Sequence, residues 1–60
     1  MADTQLLLFA NELRTRANEI LARATNTDDR EVQGTMRVIA AGYEKLARQI
    51  EQRAREAVEA

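Results

Sequence analysis

The chain has 60 residues, of which 45% are hydrophobic and 32% charged, and ten acidic against nine basic residues give a formal net charge of -1. Cys, His, Pro, Trp and Ser are absent, which excludes disulfide bonds and zinc sites built from Cys or His. A chain of this length forms one domain at most, and it buries only about 60% of the surface that its unfolded form exposes.

The first predicted helix covers about residues 4–25. Its apolar residues recur at alternating steps of four and three, the a and d spacing of a heptad. These residues are Leu6, Ala10, Leu13, Ala17, Ile20 and Ala24. The neighbouring e positions hold Leu7, Arg14 and Leu21, and Phe9 occupies a g position. Asp3 or Thr4 is predicted to cap the start of this helix.

The helical pattern breaks at residues 25–29, which predicts a turn at about residues 26–27. Asn26 is expected to end the first helix in the left-handed conformation. Thr27 or Asp28 is the predicted N-cap of the second helix, and Glu31 stands at the capping-box spacing from Asp28. So short a connection makes the two helices antiparallel neighbours.

The second predicted helix covers about residues 28–58 and repeats the heptad. Its a and d positions are occupied by Val32, Met36, Ile39, Tyr43, Leu46, Ile50 and Ala57, with Arg53 in the one remaining place. Its e positions hold Ala40, Ala47 and Ala54. Pairing the a and d seams of the two helices places Ala17 against Met36 and Ile39, and Ala10 against Tyr43 and Leu46.

The predicted fold is therefore all-α: a single antiparallel two-helix hairpin over residues 1–60. Its apolar surface is wider than the a/d seam that a two-helix hairpin needs. We expect a second copy to cover the remainder, forming a four-helix bundle, because closed symmetric dimers are the commonest soluble oligomers. A different protein on the same surface is the alternative. The residues predicted for the core and self-association are Leu6, Leu7, Phe9, Leu13, Ile20, Leu21, Met36, Ile39, Ala40, Tyr43, Leu46, Ala47 and Ile50.

The composition predicts no enzyme, no metal site and no cofactor. Common nucleophile and base pairs need Ser, Cys or His. Four Glu residues stand four positions before an Arg, the favourable order for solvated ion pairs on a helix surface. These pairs are Glu12–Arg16, Glu19–Arg23, Glu44–Arg48 and Glu51–Arg55. The acidic residues Asp28, Asp29 and Glu31 lack the spacing of a calcium loop and suit the start of a helix.

Nucleic-acid binding is the alternative function in a different class, with Arg37, Arg48 and Arg55 as candidate contacts on the second helix. Acidic residues are interleaved with them, whereas affinity for DNA depends largely on uncompensated positive charge. The longest apolar run, residues 6–10, is too short for a membrane span or a signal sequence, so the expected location is the cytoplasm.

The segment from Met36 to Ala47 follows the pattern M-x-x-I-A-x-x-Y-E-x-L-A. With the preceding Asp-rich turn, it resembles small uncharacterised bacterial helical-hairpin proteins over about half of the chain. The resemblance implies the hairpin fold and carries over no functional residue. The function predicted is a non-enzymatic, self-associating interaction or scaffolding module. An obligate partner of another protein, of the antitoxin kind, is the other alternative.

Overall fold

The computed structural model describes residues 3–59, with side chains over residues 3–56, and contains two helices. Helix α1 spans Thr4–Thr25 and helix α2 spans Arg30–Glu59. They pack against each other as an antiparallel hairpin. The predicted all-α hairpin is confirmed for this part of the chain. Neither helix, over the described residues, is long and apolar enough to cross a bilayer.

Helix α1 begins where the sequence predicts, and Asp3 rather than Thr4 is its N-cap. One carboxylate oxygen of Asp3 accepts hydrogen bonds from the amides of Gln5 (3.1 Å) and Leu6 (3.2 Å). The Asp3 carbonyl accepts a third from the amide of Leu7. Amides in the first turn of a helix have no partner within the helix, so this cap satisfies donors that would otherwise depend on water.

Helix α1 ends at Asn26 without a left-handed residue, so the expected conformation of Asn26 is wrong. Its φ is -93° and its ψ is 2°. The amide of Asn26 donates to the carbonyl of Arg23 (3.1 Å), and the amide of Thr27 donates to that of Ala24 (3.2 Å). The Thr27 hydroxyl also donates to the Arg23 carbonyl (2.9 Å). These hydrogen bonds satisfy carbonyls in the last turn of α1 without a residue in the left-handed conformation, so a left-handed cap is not required.

Helix α2 begins two residues later than predicted because Asp29 is its cap. One carboxylate oxygen of Asp29 accepts hydrogen bonds from the amides of Glu31 (2.9 Å) and Val32 (3.2 Å). The predictions of Thr27 or Asp28 as the cap, and of Glu31 as a capping-box partner, are therefore wrong. The turn accordingly covers residues 26–29 rather than 26–27.

The two helices pack through small residues. The buried apolar residues of the described part are Ala10, Leu13, Ala17, Ala24, Ala40, Ala47 and Ala54. Those on α1 occupy the a and d positions, as predicted. Those on α2 all occupy the e positions, whereas the d residues Ile39 and Leu46 remain 47% and 49% exposed. Ile39 and Leu46, predicted to pack against α1, are thus only about half covered by the hairpin.

Alanine explains why the α2 seam shifts from a/d to a/e. Helix axes lie about 8–10 Å apart depending on the side chains at the contact, and facing alanines allow the closest approach. The a residues Met36, Tyr43 and Ile50 are half-buried at the edge of this contact. Exchanging the d for the e position turns the inward direction of α2 by about 50°, since successive residues are about 100° apart. The larger d side chains are thereby turned outward.

The hairpin is elongated. Its extents are 47 × 14 × 9 Å and its radius of gyration is 14.1 Å, whereas a compact domain of this length has one of about 10 Å. Its accessible surface is 4869 Å². A compact monomer of the same mass exposes about 4,000 Å². The chain thus exposes roughly 900 Å² more than a compact monomer of its size.

Candidate interaction surface

The ion pair between Arg14 and Glu51 defines one side of the hairpin. In projection down α2, Glu51 lies about 40° to one side of the direction given by the buried alanines. In the same projection of α1, Arg14 lies about 60° to the corresponding side. Because the two side chains contact each other, these two sides adjoin along one edge of the helix pair. We call this edge the charged side.

The opposite edge is apolar. On α2, Ile39 and Leu46 lie about 80° and 100° from the inward direction, on the side away from Glu51. On α1, Ile20 and Phe9 lie about 60° and 80° from it, on the side away from Arg14. We call this edge the apolar side; it consists of Phe9, Ile20, Val32, Ile39 and Leu46. All but the half-buried Ile20 are exposed.

The exposed apolar side chains outweigh the buried ones in size. No large side chain among the described residues is fully buried, and Leu13 is the only buried residue larger than alanine. Shallow grooves run along α2 beside the exposed side chains of the apolar side. Ile39, Tyr43 and Leu46 line one with Gly42, and Ile39 lines the next with Val38 and the charged, polar or small residues Arg30, Glu31, Gly34 and Thr35. The apolar strip on α2 is therefore continuous from Ile39 to Leu46.

Gly42 is exposed on this strip and has free space beside it. A Cβ added at Gly42 would meet nothing within 4 Å, and the same is true at Gly34. Gly42 therefore does not serve the contact between α1 and α2. Gly in a helix interior is about 1 kcal/mol less favourable than Ala, and the packing within the hairpin offers no compensation for that cost.

The charged side is held by a bidentate ion pair. Nη1 of Arg14 donates to Oε2 of Glu51 at 2.7 Å, and Nη2 of Arg14 donates to Oε1 at 2.5 Å. These hydrogen bonds are the main reason that the pKa of Glu51 lies below its ordinary value of 4.5; desolvation opposes them, and the charges of Arg14 and Arg55 add to the lowering. The pair also raises the pKa of Arg14.

The predicted surface pairs within single helices do not form. Between residues 3 and 56, the salt bridge of Arg14 with Glu51 is the only one. Glu51 therefore pairs across the hairpin rather than with Arg55, four residues along α2. The planar guanidinium and the carboxylate meet in fork geometry, which is stronger than a single solvated contact.

The residues predicted for the core and self-association divide between four environments. Ala40 and Ala47 are buried by α1, so no second chain is needed to cover them. Leu7 and Leu21 lie on the charged side. Half-buried positions at the hairpin seam hold Leu6, Ile20, Met36, Tyr43 and Ile50, with Leu13 fully inside. Phe9, Ile39, Leu46 and the exposed part of Ile20 remain for an outside partner.

The three candidate nucleic-acid contacts share one line on the charged side. Arg37, Arg48 and Arg55 lie within about 20° of one another in projection down α2, and all three are exposed. Glu44 and Glu51 lie between this line and the helix contact. The basic residues are thus accompanied by acidic ones in space as well as in sequence.

No protein-family model, curated protein or solved structure matches this chain. The resemblance of α2 to bacterial helical-hairpin proteins therefore stays a prediction.

Proposed function

We propose that this chain is a non-enzymatic helical interaction module that self-associates into an antiparallel four-helix bundle. The observation that supports the proposal most strongly is the division of apolar residues. Six alanines and one leucine form the buried core, while Phe9, Val32, Ile39 and Leu46 are exposed on the apolar side and Leu8, Leu21 and Val38 are exposed elsewhere. A hairpin that kept this arrangement alone would leave about half of the Phe9, Ile39 and Leu46 side chains in water.

The stability of a lone hairpin supports the same conclusion. Below about 70–80 residues, a single hydrophobic core rarely supplies more than about 3–5 kcal/mol, and small natural domains add disulfides, metals or oligomerisation. The sequence has no Cys for a disulfide. A core of alanines contributes little, because each buried methyl group adds only about 0.8 kcal/mol. Oligomerisation is the remaining means of stabilisation that the residues favour.

The surface area favours self-association as well. The roughly 900 Å² that the hairpin exposes beyond a compact monomer is close to the approximately 800 Å² that each partner buries in a standard interface. The net charge of -1 produces little repulsion between two copies.

Nucleic-acid binding has one observation in its favour, the alignment of Arg37, Arg48 and Arg55. The acidic residues beside them reduce the positive potential on which counterion release depends. An electrophoretic mobility assay with mixed-sequence DNA at low salt tests this function. A shift that weakens as salt rises would support it, and no shift at low salt would eliminate it.

The concentration dependence of thermal unfolding tests the proposed function. Self-association makes the midpoint rise with protein concentration, because binding to the folded state stabilises it by mass action. Circular dichroism across a hundredfold range of concentration measures that midpoint. A cooperative transition whose midpoint does not change would mean that the hairpin folds alone. Capture of a different protein from the host by such a monomer would favour the obligate-partner alternative.

A further inference from the structure

We infer that the second copy docks through the apolar side in an antiparallel orientation, with α2 against α2 and a two-fold axis between Gly42 and Tyr43. The inference rests on the proposed self-association and adds the surface, the orientation and the register. The exposed strip on α2 is the surface, and its residue spacing determines the orientation.

The d positions of α2 are self-complementary when read in opposite directions. Ile39 lies as far before the point between Gly42 and Tyr43 as Leu46 lies after it, and Val32 is related to Arg53 in the same way. A two-fold axis at that point therefore brings Ile39 of each copy against Leu46 of the other. Contacts of this kind, made by the same patch on both chains, are what a closed dimer requires.

Helix α1 is compatible with the same axis. Ala10, Leu13 and Ala47 belong to one buried cluster, which places Ala47 level with residues 10–13 of α1. With equal rise along both helices, the point between Gly42 and Tyr43 is level with residues 14–18 of α1. Phe9 and Ile20 lie on opposite sides of that segment. The axis derived from α2 thus brings Phe9 of one copy toward the part of α1 that begins at Ile20 in the other.

Gly42 gains a role in this arrangement. It lies beside the axis, level with Tyr43 of the second copy, and its missing Cβ lets the two α2 backbones approach closely. Within a single hairpin the space beside Gly42 is empty. The second copy supplies the neighbour that the hairpin lacks.

Charge favours antiparallel over parallel docking. At each end of the strip, Arg53 of one copy lies level with Val32 of the other copy. Glu31 of that other copy is one residue before Val32 on its helix. A parallel arrangement would instead place Arg53 beside its own counterpart, and like charges at an interface are unfavourable.

Cysteine cross-linking tests the orientation, since the natural chain contains no Cys. The variants Ile39→Cys and Leu46→Cys are mixed, one of them carrying a mass tag, and oxidised with glutathione disulfide. A disulfide needs Cα atoms about 4.4–6.8 Å apart, so it forms only where the two positions meet. We expect a covalent heterodimer from the mixture, at least tenfold more abundant than homodimers of either variant alone.

A matched control lies on the charged side. Arg37→Cys and Arg48→Cys are related by the same axis as the first pair, but they project from the opposite edge, so their mixture should stay unlinked. A second test pair, Thr35→Cys with Ile50→Cys, has the same register on the apolar side and keeps Ile39 and Leu46 intact. We expect this pair to cross-link as well.

Failure of the inference differs from failure of the proposed function. If the protein sediments as a dimer but Ile39→Cys alone forms covalent homodimers, the orientation is wrong while self-association stands. If the dimer instead yields covalent heterodimers of the charged-side pair, the surface is wrong while self-association stands. Natural protein that sediments as a monomer, with no mixture cross-linked, would overturn both.

Discussion

Replacing Leu46 with alanine tests the apolar side quantitatively. The substitution removes three carbon atoms, each worth about 0.8 kcal/mol on burial. Leu46 is 49% exposed in the hairpin, so only about half of that value, about 1 kcal/mol per copy, is still available from a partner. A symmetric dimer loses it twice. About 2 kcal/mol corresponds to a dimer Kd weakened about thirtyfold.

Sedimentation velocity over a concentration series measures that Kd. Val38→Ala is the matched control, because Val38 is 72% exposed and points almost directly away from α1. Its effect should be less than about threefold, the usual range for surface substitutions. An unchanged Kd for Leu46→Ala, or equal weakening by both variants, would refute our assignment of the interface.

Three further predictions concern the cap, the ion pair and the open glycine. Asp29→Ala should lower the free energy of unfolding by about 1 kcal/mol, while Asp28→Ala should change it by less than about 0.5 kcal/mol; urea titration compares the two, and a larger effect at Asp28 would contradict the observed cap. Because Arg14 lowers the pKa of Glu51 below 4.5, the pair stabilises the fold fully above that pH and loses its effect as pH falls through the lowered pKa. Arg14→Gln should therefore raise the pKa of Glu51 in an NMR titration, and an unmoved pKa would argue against the pair. Gly42→Ala and Gly34→Ala should each stabilise the helix of the dilute monomer by up to about 1 kcal/mol. Only Gly42→Ala should weaken the dimer. Equal dimer affinity for both variants would show that Gly42 does not lie in the interface.

Local interactions account for what the sequence could predict about the fold. The heptad spacing and the polar turn were enough to predict two antiparallel helices and the bounds of α1. The choice among Thr27, Asp28 and Asp29 as cap was not predictable, because the side chains of all three can accept the same hydrogen bonds.

Tertiary geometry determined the features that the sequence did not reveal. Both the d and the e positions of α2 are apolar, so periodicity established the width of the apolar surface without indicating which half faces α1. Closest approach selected the alanines, and the larger Ile39 and Leu46 were left outside. The contact of Arg14 with Glu51 likewise depends on the register between helices, whereas the spacing within one helix suggested Arg55 as the partner.

The expectation that two helices cannot cover the apolar residues agrees with the exposure of Phe9, Ile39 and Leu46. The residues expected to need an outside cover were only partly correct, since Ala40 and Ala47 are covered by α1.

Sedimentation equilibrium of the natural chain at micromolar concentration tests the central claim most directly. We predict a single species with twice the 6.8 kDa chain mass, which dissociates only on dilution. A helical, cooperatively folded species that keeps the mass of one chain throughout the concentration range would contradict it.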